Sequence, residues 1–349
     1  MHTGDSHNFG RRVESAIRSN LPCIFKPRTV FWEEFFFGLN SPFRRLYRQF
    51  GELPFPMEID RLDSSGVHDN WIQLIDKQDR SPTEVEYRQF GSILAYSFLF
   101  GIQDLHRDNA FLTDKGFQVV DVEQVFSDLI LPNQTLLLPT HATTAISAGL
   151  NVLGKSSVRE LDARQARRVL DGYIEQCSFI FERRADFFEV IQVHEKLLEV
   201  QPIRVFFRRT RDYVDHLSGK VRLNDVFAEE HEQLARGGTY HIFFSYLGSD
   251  QIFYYVSADW KNCTVRYPSL FEKFVSYARR GPKILLKEQN LFNKWATGAL
   301  FLMRHLEQLD RDNLKWKTCH IDEDVEKIRF FGPGFQLQTR RRQPLKANS

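Results

Sequence analysis

Polar and apolar positions alternate along the first eighty residues in short runs broken by turn-forming pairs. A polar opening, GDSHNFG at 4–10, leads to segments around Val13 and around Ile24 and Phe25, with Ser19 and Asn20 between them. That pattern predicts paired strands joined by a tight turn, and it sets Lys26 at a strand end. Trp32 to Leu39 reads as the start of a helix or a closely packed aromatic segment, and WIQLI at 71–75 as another strand. At Ser81-Pro82-Thr83-Glu84 a capping hydroxyl precedes a proline suited to a first helical turn. The apolar run that follows, YRQFGSILAYSFLFGI, predicts a buried helix that delivers the chain to Asp104.

Beyond it, DLHRDNAFLTDKGFQVVDVEQVF predicts a hairpin: a strand over 109–112, a turn at Asp114-Lys115-Gly116 and a returning strand over 117–122. Residues 156–200 read mainly as helices. The segment 202–217 begins as a strand and turns helical near Thr210, HIFFSYLG and QIFYYVSADW have strand character, and 286–309 is helical. The pattern divides the chain into a smaller N-terminal lobe (1–80), a larger lobe (81–335) and a mobile basic tail (336–349). Helices and paired strands are both expected, and the fold class is α+β.

Composition narrows the function classes. With 42% hydrophobic residues, including 32 Phe, the chain can bury a large core around a cleft. Its 47 Lys and Arg against 45 Asp and Glu give a net charge of +2, which argues against nucleic acid as a partner. The local exceptions are Arg164 to Arg168, which reads as a solvated helix face, Arg204 to Arg211, and Arg340 to Arg342. Cysteines at 23, 177, 263 and 319 form no CxxC pair, so neither a disulfide framework nor a cysteine zinc site is indicated. The apolar run at 93–102 is too short to span a membrane and no signal peptide opens the chain, which makes the cytoplasm the default.

The strongest chemical signal is Asp104-Leu105-His106-Arg107-Asp108-Asn109, followed by Asp121-Val122-Glu123. Phosphoryl transfer needs a carboxylate near the attacking hydroxyl and oxygen ligands that hold Mg²⁺ against ATP phosphates. Asp104 suits the first role, Asn109 and Asp121 the second, with Glu123 a further metal ligand or a supporting group. Reading His106-Arg107-Asp108 as an ordinary kinase motif would make Asp108 the base. The asparagine expected five residues later is then Thr113, whereas Asp104 and Asn109 have that spacing. Lys26 can contact phosphates or be an ordinary strand-end lysine, and no GxxxxGK[ST] is present. Asp5, His7, Arg204 and Thr210, taken singly, read as surface or core residues before catalytic ones.

Together, GDSHNFG (4–10), FKPR (25–28), GLN (38–40), DNWIQLI (69–75), GIQDLHRDN (101–109), VVDVE (119–123) and IRVFFRRTRDY (203–213) resemble, in order, the dehydratase portion of class II lanthipeptide synthetases. The resemblance covers roughly residues 1–250. It implies an atypical fold similar to protein and lipid kinases, two-lobed, with added elimination-site elements. It also implies phosphorylation of Ser or Thr in a precursor peptide or protein with ATP and Mg²⁺, then elimination of phosphate to dehydroalanine or dehydrobutyrine. By that resemblance Asp104 is the base, His106 supports its loop, and Asn109, Asp121 and Glu123 serve the metals. Lys26 and Arg28 of FKPR contact the nucleotide, and Lys26 can also assist elimination. Asp5, His7, Arg204 and Thr210 belong to the elimination site. The sequence departs from the family at Asp69-Asn70-Trp71, where a tyrosine-glycine-tryptophan segment is usual, and at Gln73, where an acid is usual. The zinc cyclase part is not represented, so thioether rings are not expected from this chain, and a separate cyclase is a candidate partner. A kinase that stops at the phosphorylated product and a noncatalytic kinase-like binding protein are the competing readings.

Overall fold

A computed structural model describes residues 2–7, 11–51, 53–64, 70–139, 147–205, 215–216, 218–220, 243–249 and 251–254, helical positions at 291, 294, 297–299, 301 and 302, and three strands between 318 and 338. The polar opening is itself a strand, β1 (His2–His7), where sequence reading left it unassigned. β2 (Arg11–Arg18) and β3 (Leu21–Lys26) form the expected hairpin, with Ser19 and Asn20 both at positive φ, the geometry that a two-residue turn of right-handed twist demands. The short helices α1 (Phe31–Phe37) and α2 (Pro42–Gln49) follow, and then β4 (Arg61–Ser64) and β5 (Asn70–Gln73). These strands make one antiparallel sheet in the order β1-β2-β3-β5-β4. The register places Lys26 opposite Asn70 and Phe25 opposite Trp71.

The long helix α3 (Glu84–Leu99) starts later than the proline suggested. Its cap is Thr83, which exchanges bonds with Glu86 in a capping box, while Ser81 and Pro82 lie before it. The predicted hairpin forms as β6 (Ala110–Thr113) and β7 (Gly116–Val119), with Ala110 opposite Val119. α4 (Ala163–Glu182), α5 (Arg184–Val193) and α6 (Glu195–Leu198) fill the helical region. β8 (Ile203–Val205), β9 (Phe243–Ser245) and β10 (Phe253–Tyr254) make a small antiparallel sheet, and β11 (Thr318–Asp322), β12 (Lys327–Gly332) and β13 (Phe335–Gln338) another. β13 runs to Gln338, so the tail drawn from 336 begins inside a strand. Arg340 to Arg342 lie outside the described residues. The fold is α+β.

The core explains the abundance of phenylalanine. Phe36 and Phe43 stack at 5.7 Å, Phe43 reaches Phe187 on α5 at 5.5 Å, and Tyr96 of α3 packs on Phe100, just past the helix, at 4.8 Å. α3 and α4 approach through reciprocal glycines. A Cβ on Gly91 would lie 1.9 Å from the Val169 carbonyl oxygen, and one on Gly172 2.0 Å from that of Arg88. The arginine cluster on α4 is a solvated, ion-paired face, with Arg164 and Arg168 both meeting Glu84. Cys23 and Cys177 are buried free thiols. Among the described residues no helix is long and apolar enough to cross a membrane.

Candidate active site

β3 ends at Lys26, and α1 begins only five residues later, so the strand-end cations and the first turn of the helix face each other. Lys26 Nζ donates to Glu33 Oε1 at 2.7 Å and to Asp121 Oδ1 at 2.5 Å. The Arg28 guanidinium donates to Glu33 Oε2 at 3.0 Å and to Asp121, and its Nε lies 3.1 Å from Glu123 Oε1. Glu33 is fully buried, a position that a carboxylate holds only when paired. Burial alone would raise its pKa, but Arg28 and Lys26 hold it below the usual carboxylate value. Asp121 behaves alike: desolvation is outweighed by Arg28 and Lys26, which hold it well below its ordinary value and keep it ionised.

The loop after α3 supplies the second wall. Asp104 and Asp121 both sit at positive φ, 64° and 63°, an uncommon conformation for residues with a Cβ that surrounding bonds must impose. The Leu105 N–H donates to the Thr135 carbonyl at 2.9 Å, and Asn109 Nδ2 donates to the Asp104 carbonyl at 2.8 Å. The Val120 N–H donates to the Asn109 carbonyl at 2.9 Å, tying this loop to the segment that carries Asp121. His106 Nδ1 accepts the Asp108 N–H at 3.2 Å, and its Nε2 lies 3.4 Å from Asn109 Nδ2 and 3.8 Å from Asp104 Oδ1. The Asp104 carboxyl is half-buried, and desolvation raises its pKa to about 6, opposed by His106, reinforced by Glu123 and Asp121, and opposed again by Arg204. The Asp108 side chain is 85% exposed, so the two candidate bases occupy quite different surroundings.

Arg204 enters from β8. Its N–H donates to the Glu123 carbonyl at 2.9 Å, and its guanidinium donates to Glu123 Oε2 at 3.1 Å. Glu123 therefore has one oxygen on Arg28 and the other on Arg204. Trp32 of α1 also donates its indole N–H to the Pro202 carbonyl at 2.8 Å, holding β8 to the helix that bears Glu33. One network thus runs from Lys26 and Glu33 through Asp121 and Arg28 to Glu123 and Arg204.

Of the residues singled out from sequence, the structure gathers Lys26, Arg28, Asp104, His106, Asn109, Asp121, Glu123 and Arg204. Asp5 and His7 lie on β1, whose described backbone is two strands from β3 in the sheet. Thr210 lies outside the described residues, as do Arg208 and Arg209. Sequence reading missed Glu33, although a charge inside the otherwise aromatic FWEEFFF was a visible signal. It also missed the work of Asn70, whose buried amide donates to the Arg28 carbonyl at 2.7 Å.

Among the described residues, no three His, Cys, Asp or Glu side chains gather into a metal cage. The donor set fits Mg²⁺ arriving with a polyphosphate, which commonly needs only one or two protein oxygens beside phosphate and water. The outer oxygen of Asp121, whose side chain is 38% exposed, is one. With its Nδ2 committed to Asp104, Asn109 offers Oδ1 as the other. Glu123 is already spanned by two guanidinium groups.

Residues 1–158 match the model of a family described as Domain of unknown function (DUF4135). The DUF4135 match runs from β1 past β7, so it takes in every gathered residue except Arg204. No curated protein matches the chain.

Proposed function

We propose that this chain transfers the γ-phosphoryl group of ATP to a Ser or Thr hydroxyl of a polypeptide and then expels the phosphate, leaving dehydroalanine or dehydrobutyrine. The observation that carries this reading is the continuous network from Lys26 through Asp121 to Arg204, with the Asp104 carboxyl beside it. In support, the matched family is associated with lanthipeptide synthetase-like proteins. The pairing of the strand-end Lys26 with the buried Glu33 of the next helix supports this reading, because kinases use a strand lysine held by a helix glutamate to contact phosphates.

In the first step Lys26 and Arg28 hold phosphate oxygens, and Asn109 and Asp121 would hold Mg²⁺, which would neutralise charge on the transferring group. Asp104 accepts the hydroxyl proton as the new O–P bond forms and the bond from the γ-phosphorus to ADP breaks. A carboxylate with a pKa near 6 is a stronger base than an ordinary aspartate and remains ionised at neutral pH. His106 braces the loop by accepting the Asp108 N–H.

In the second step a base removes the α-proton, the Cα–Cβ double bond forms and the Cβ–O bond to phosphate breaks. Arg204 is the phosphate clamp, because a guanidinium can hold two oxygens at once, and Glu123 orients it. Lys26 stabilises charge developing on the substrate carbonyl. Asp5, His7 and Thr210 complete this half of the site by resemblance.

Intact-mass analysis of Ser/Thr-rich peptides incubated with the protein, ATP and Mg²⁺ tests the reading. The full reaction leaves the peptide about 18 Da lighter, whereas phosphorylation alone adds about 80 Da. An added phosphate that persists supports a kinase without elimination. An unchanged mass across cellular protein extract and synthetic peptides contradicts phosphotransfer.

A further inference from the structure

Two segments outside the Lys26–Arg204 network grip the loop that carries Asp104. Past a short 3-10 turn over Pro132–Thr135, three successive carbonyls each accept a backbone N–H. Thr135 takes that of Leu105 at 2.9 Å, Leu136 that of Gly149 at 3.0 Å, and Leu137 that of Leu150 at 2.8 Å. His106 also pairs with Ala148 in an isolated antiparallel bridge. The stretches 104–106, 135–137 and 148–150 therefore pack against one another backbone to backbone, and Leu105, Leu137 and Leu150 are fully buried among them.

Gly149 is what lets the three stretches meet. A Cβ there would lie 2.7 Å from the Leu105 carbonyl oxygen and 2.8 Å from Leu137 Cδ2. The leucine methyl ends a flexible side chain and can swing aside, whereas the carbonyl oxygen retreats only if the Leu105 backbone moves. Thr135 shapes the other contact. It is fully buried, and its hydroxyl donates to the Pro132 carbonyl at 2.7 Å and accepts the Leu137 N–H at 3.2 Å, closing the turn that aims its own carbonyl at Leu105. Leu136, next in the chain, sits at a φ of 66°, uncommon for a residue with a branched side chain, so its surroundings impose this turn.

The peptide bond is planar, so the torsion after the Asp104 Cα decides where the Leu105 N–H points. Holding that N–H on Thr135 fixes the torsion, and holding the Leu105 carbonyl against Gly149 fixes the next one. We infer that Gly149 and Thr135 are positioning residues for the proposed base: by gripping Leu105 at its carbonyl and its N–H, they keep Asp104 in the left-handed conformation from which its carboxyl meets the acceptor hydroxyl. The inference rests on the phosphotransfer reading of Asp104. Nucleotide contact belongs to Lys26 and Arg28 on another element, so loosening the grip acts on kcat and spares nucleotide affinity. A displacement of about 1 Å at a reacting group costs on the order of 10²-fold in rate.

The test uses the full chain and three variants: Gly149→Ala, Thr135→Val and Thr135→Ser. Hydrogen–deuterium exchange reads the grip without turnover. Peptides covering 102–110 should exchange at least about tenfold faster in Gly149→Ala and Thr135→Val than in wild type, while those covering α4 stay unchanged. Single-turnover phosphotransfer to a Ser/Thr-rich peptide should fall about 10²-fold in both, whereas the dissociation constant of ATP with Mg²⁺, measured by calorimetry, stays within about twofold. Thr135→Ser keeps the hydroxyl and should restore both protection and rate. Should Gly149→Ala lose its fold, the α4 peptides exchange faster as well, and the comparison of Thr135→Val with Thr135→Ser decides. A wild-type transfer rate in Gly149→Ala, equal rates in the two Thr135 variants, or unchanged exchange over 102–110 overturns the inference. Exchange that rises in the variants while wild type itself shows no ATP-dependent mass change on any peptide supports the grip and contradicts the phosphotransfer reading instead.

Discussion

The fully buried carboxylate of Glu33 accepts the backbone N–H of Asp121 at 2.8 Å. The same Glu33 oxygen takes Lys26 Nζ, which in turn reaches the Asp121 side chain. One carboxylate from α1 thus fixes both the strand-end lysine and the backbone of the proposed metal ligand. The positive φ of Asp121 is held by this bond and by the cations around its side chain.

Glu33→Gln leaves the N–H contact within reach but removes the charge that balances Lys26 and Arg28. Breaking one partner of a buried ion cluster costs about 3 kcal/mol. We expect a lower melting temperature and, because Lys26 and Asp121 shift together, about a 10²-fold loss in phosphotransfer rate. Thermal melts and single-turnover transfer measured on the same variant check both, and a variant with normal rate would show that Glu33 serves the fold only.

The raised pKa of Asp104 sets a pH dependence. Its carboxyl must be ionised to accept a proton, so phosphotransfer should rise with pH through about 6 and level off above it. Asp121, held well below its ordinary value, stays charged across that window and contributes no inflection there. For stability the sign is opposite. The folded state binds the Asp104 proton more tightly than the unfolded chain, so this group's contribution is largest below about 4 and declines as pH rises to about 6. A pH–rate profile without an inflection near 6 would count against Asp104 as the base.

Arg204→Ala should let phosphopeptide accumulate, since phosphorylation keeps Lys26, Asp104 and Asp121 while elimination loses its clamp. Arg204→Lys restores charge but not the planar fork that can hold two phosphate oxygens at once, so we expect it to recover elimination only in part. Mass spectra over time separate the two steps, and dehydration as fast in Arg204→Ala as in wild type would remove Arg204 from the mechanism.

Gly172→Ala should destabilise the fold without touching the site. The new methyl would meet the Arg88 carbonyl of α3 at 2.0 Å, forcing the helices apart at a cost of about 1–3 kcal/mol. Denaturant unfolding reads the loss directly. A stability equal to wild type would mean that the α3–α4 contact is looser than this packing requires.

The local elements were legible because local patterns specify them: the β2–β3 turn through Ser19 and Asn20, α3 through its apolar run, and the β6–β7 hairpin through Asp114-Lys115-Gly116. The spacing of Asp104, Asn109 and Asp121 was legible for the same reason, since one hairpin brings them together. β1 was not, because GDSHNFG lacks the apolar alternation that marks a strand and is recruited by pairing with β2. The cap of α3 was misplaced by two residues because Thr83 with Glu86 makes a better reciprocal box than Ser81 before a proline. The partners of Glu33 and the Arg28–Glu123–Arg204 bridge were invisible for a different reason. They join residues far apart in sequence, and nothing in the string says that α1 turns one acidic residue inward and the next, Glu34, toward a cleft.

Asp104 and Asp121 are the residues on which an ATP-dependent change at a peptide hydroxyl is proposed to depend. The most direct measurement is intact-mass analysis of a Ser/Thr-rich peptide after incubation with ATP and Mg²⁺, run in parallel for wild type, Asp104→Asn and Asp121→Ala. Wild type should leave the peptide about 18 Da lighter, by way of a species about 80 Da heavier, and neither variant should change it. A dehydrated or phosphorylated product that forms equally well with Asp104→Asn and Asp121→Ala would contradict that dependence.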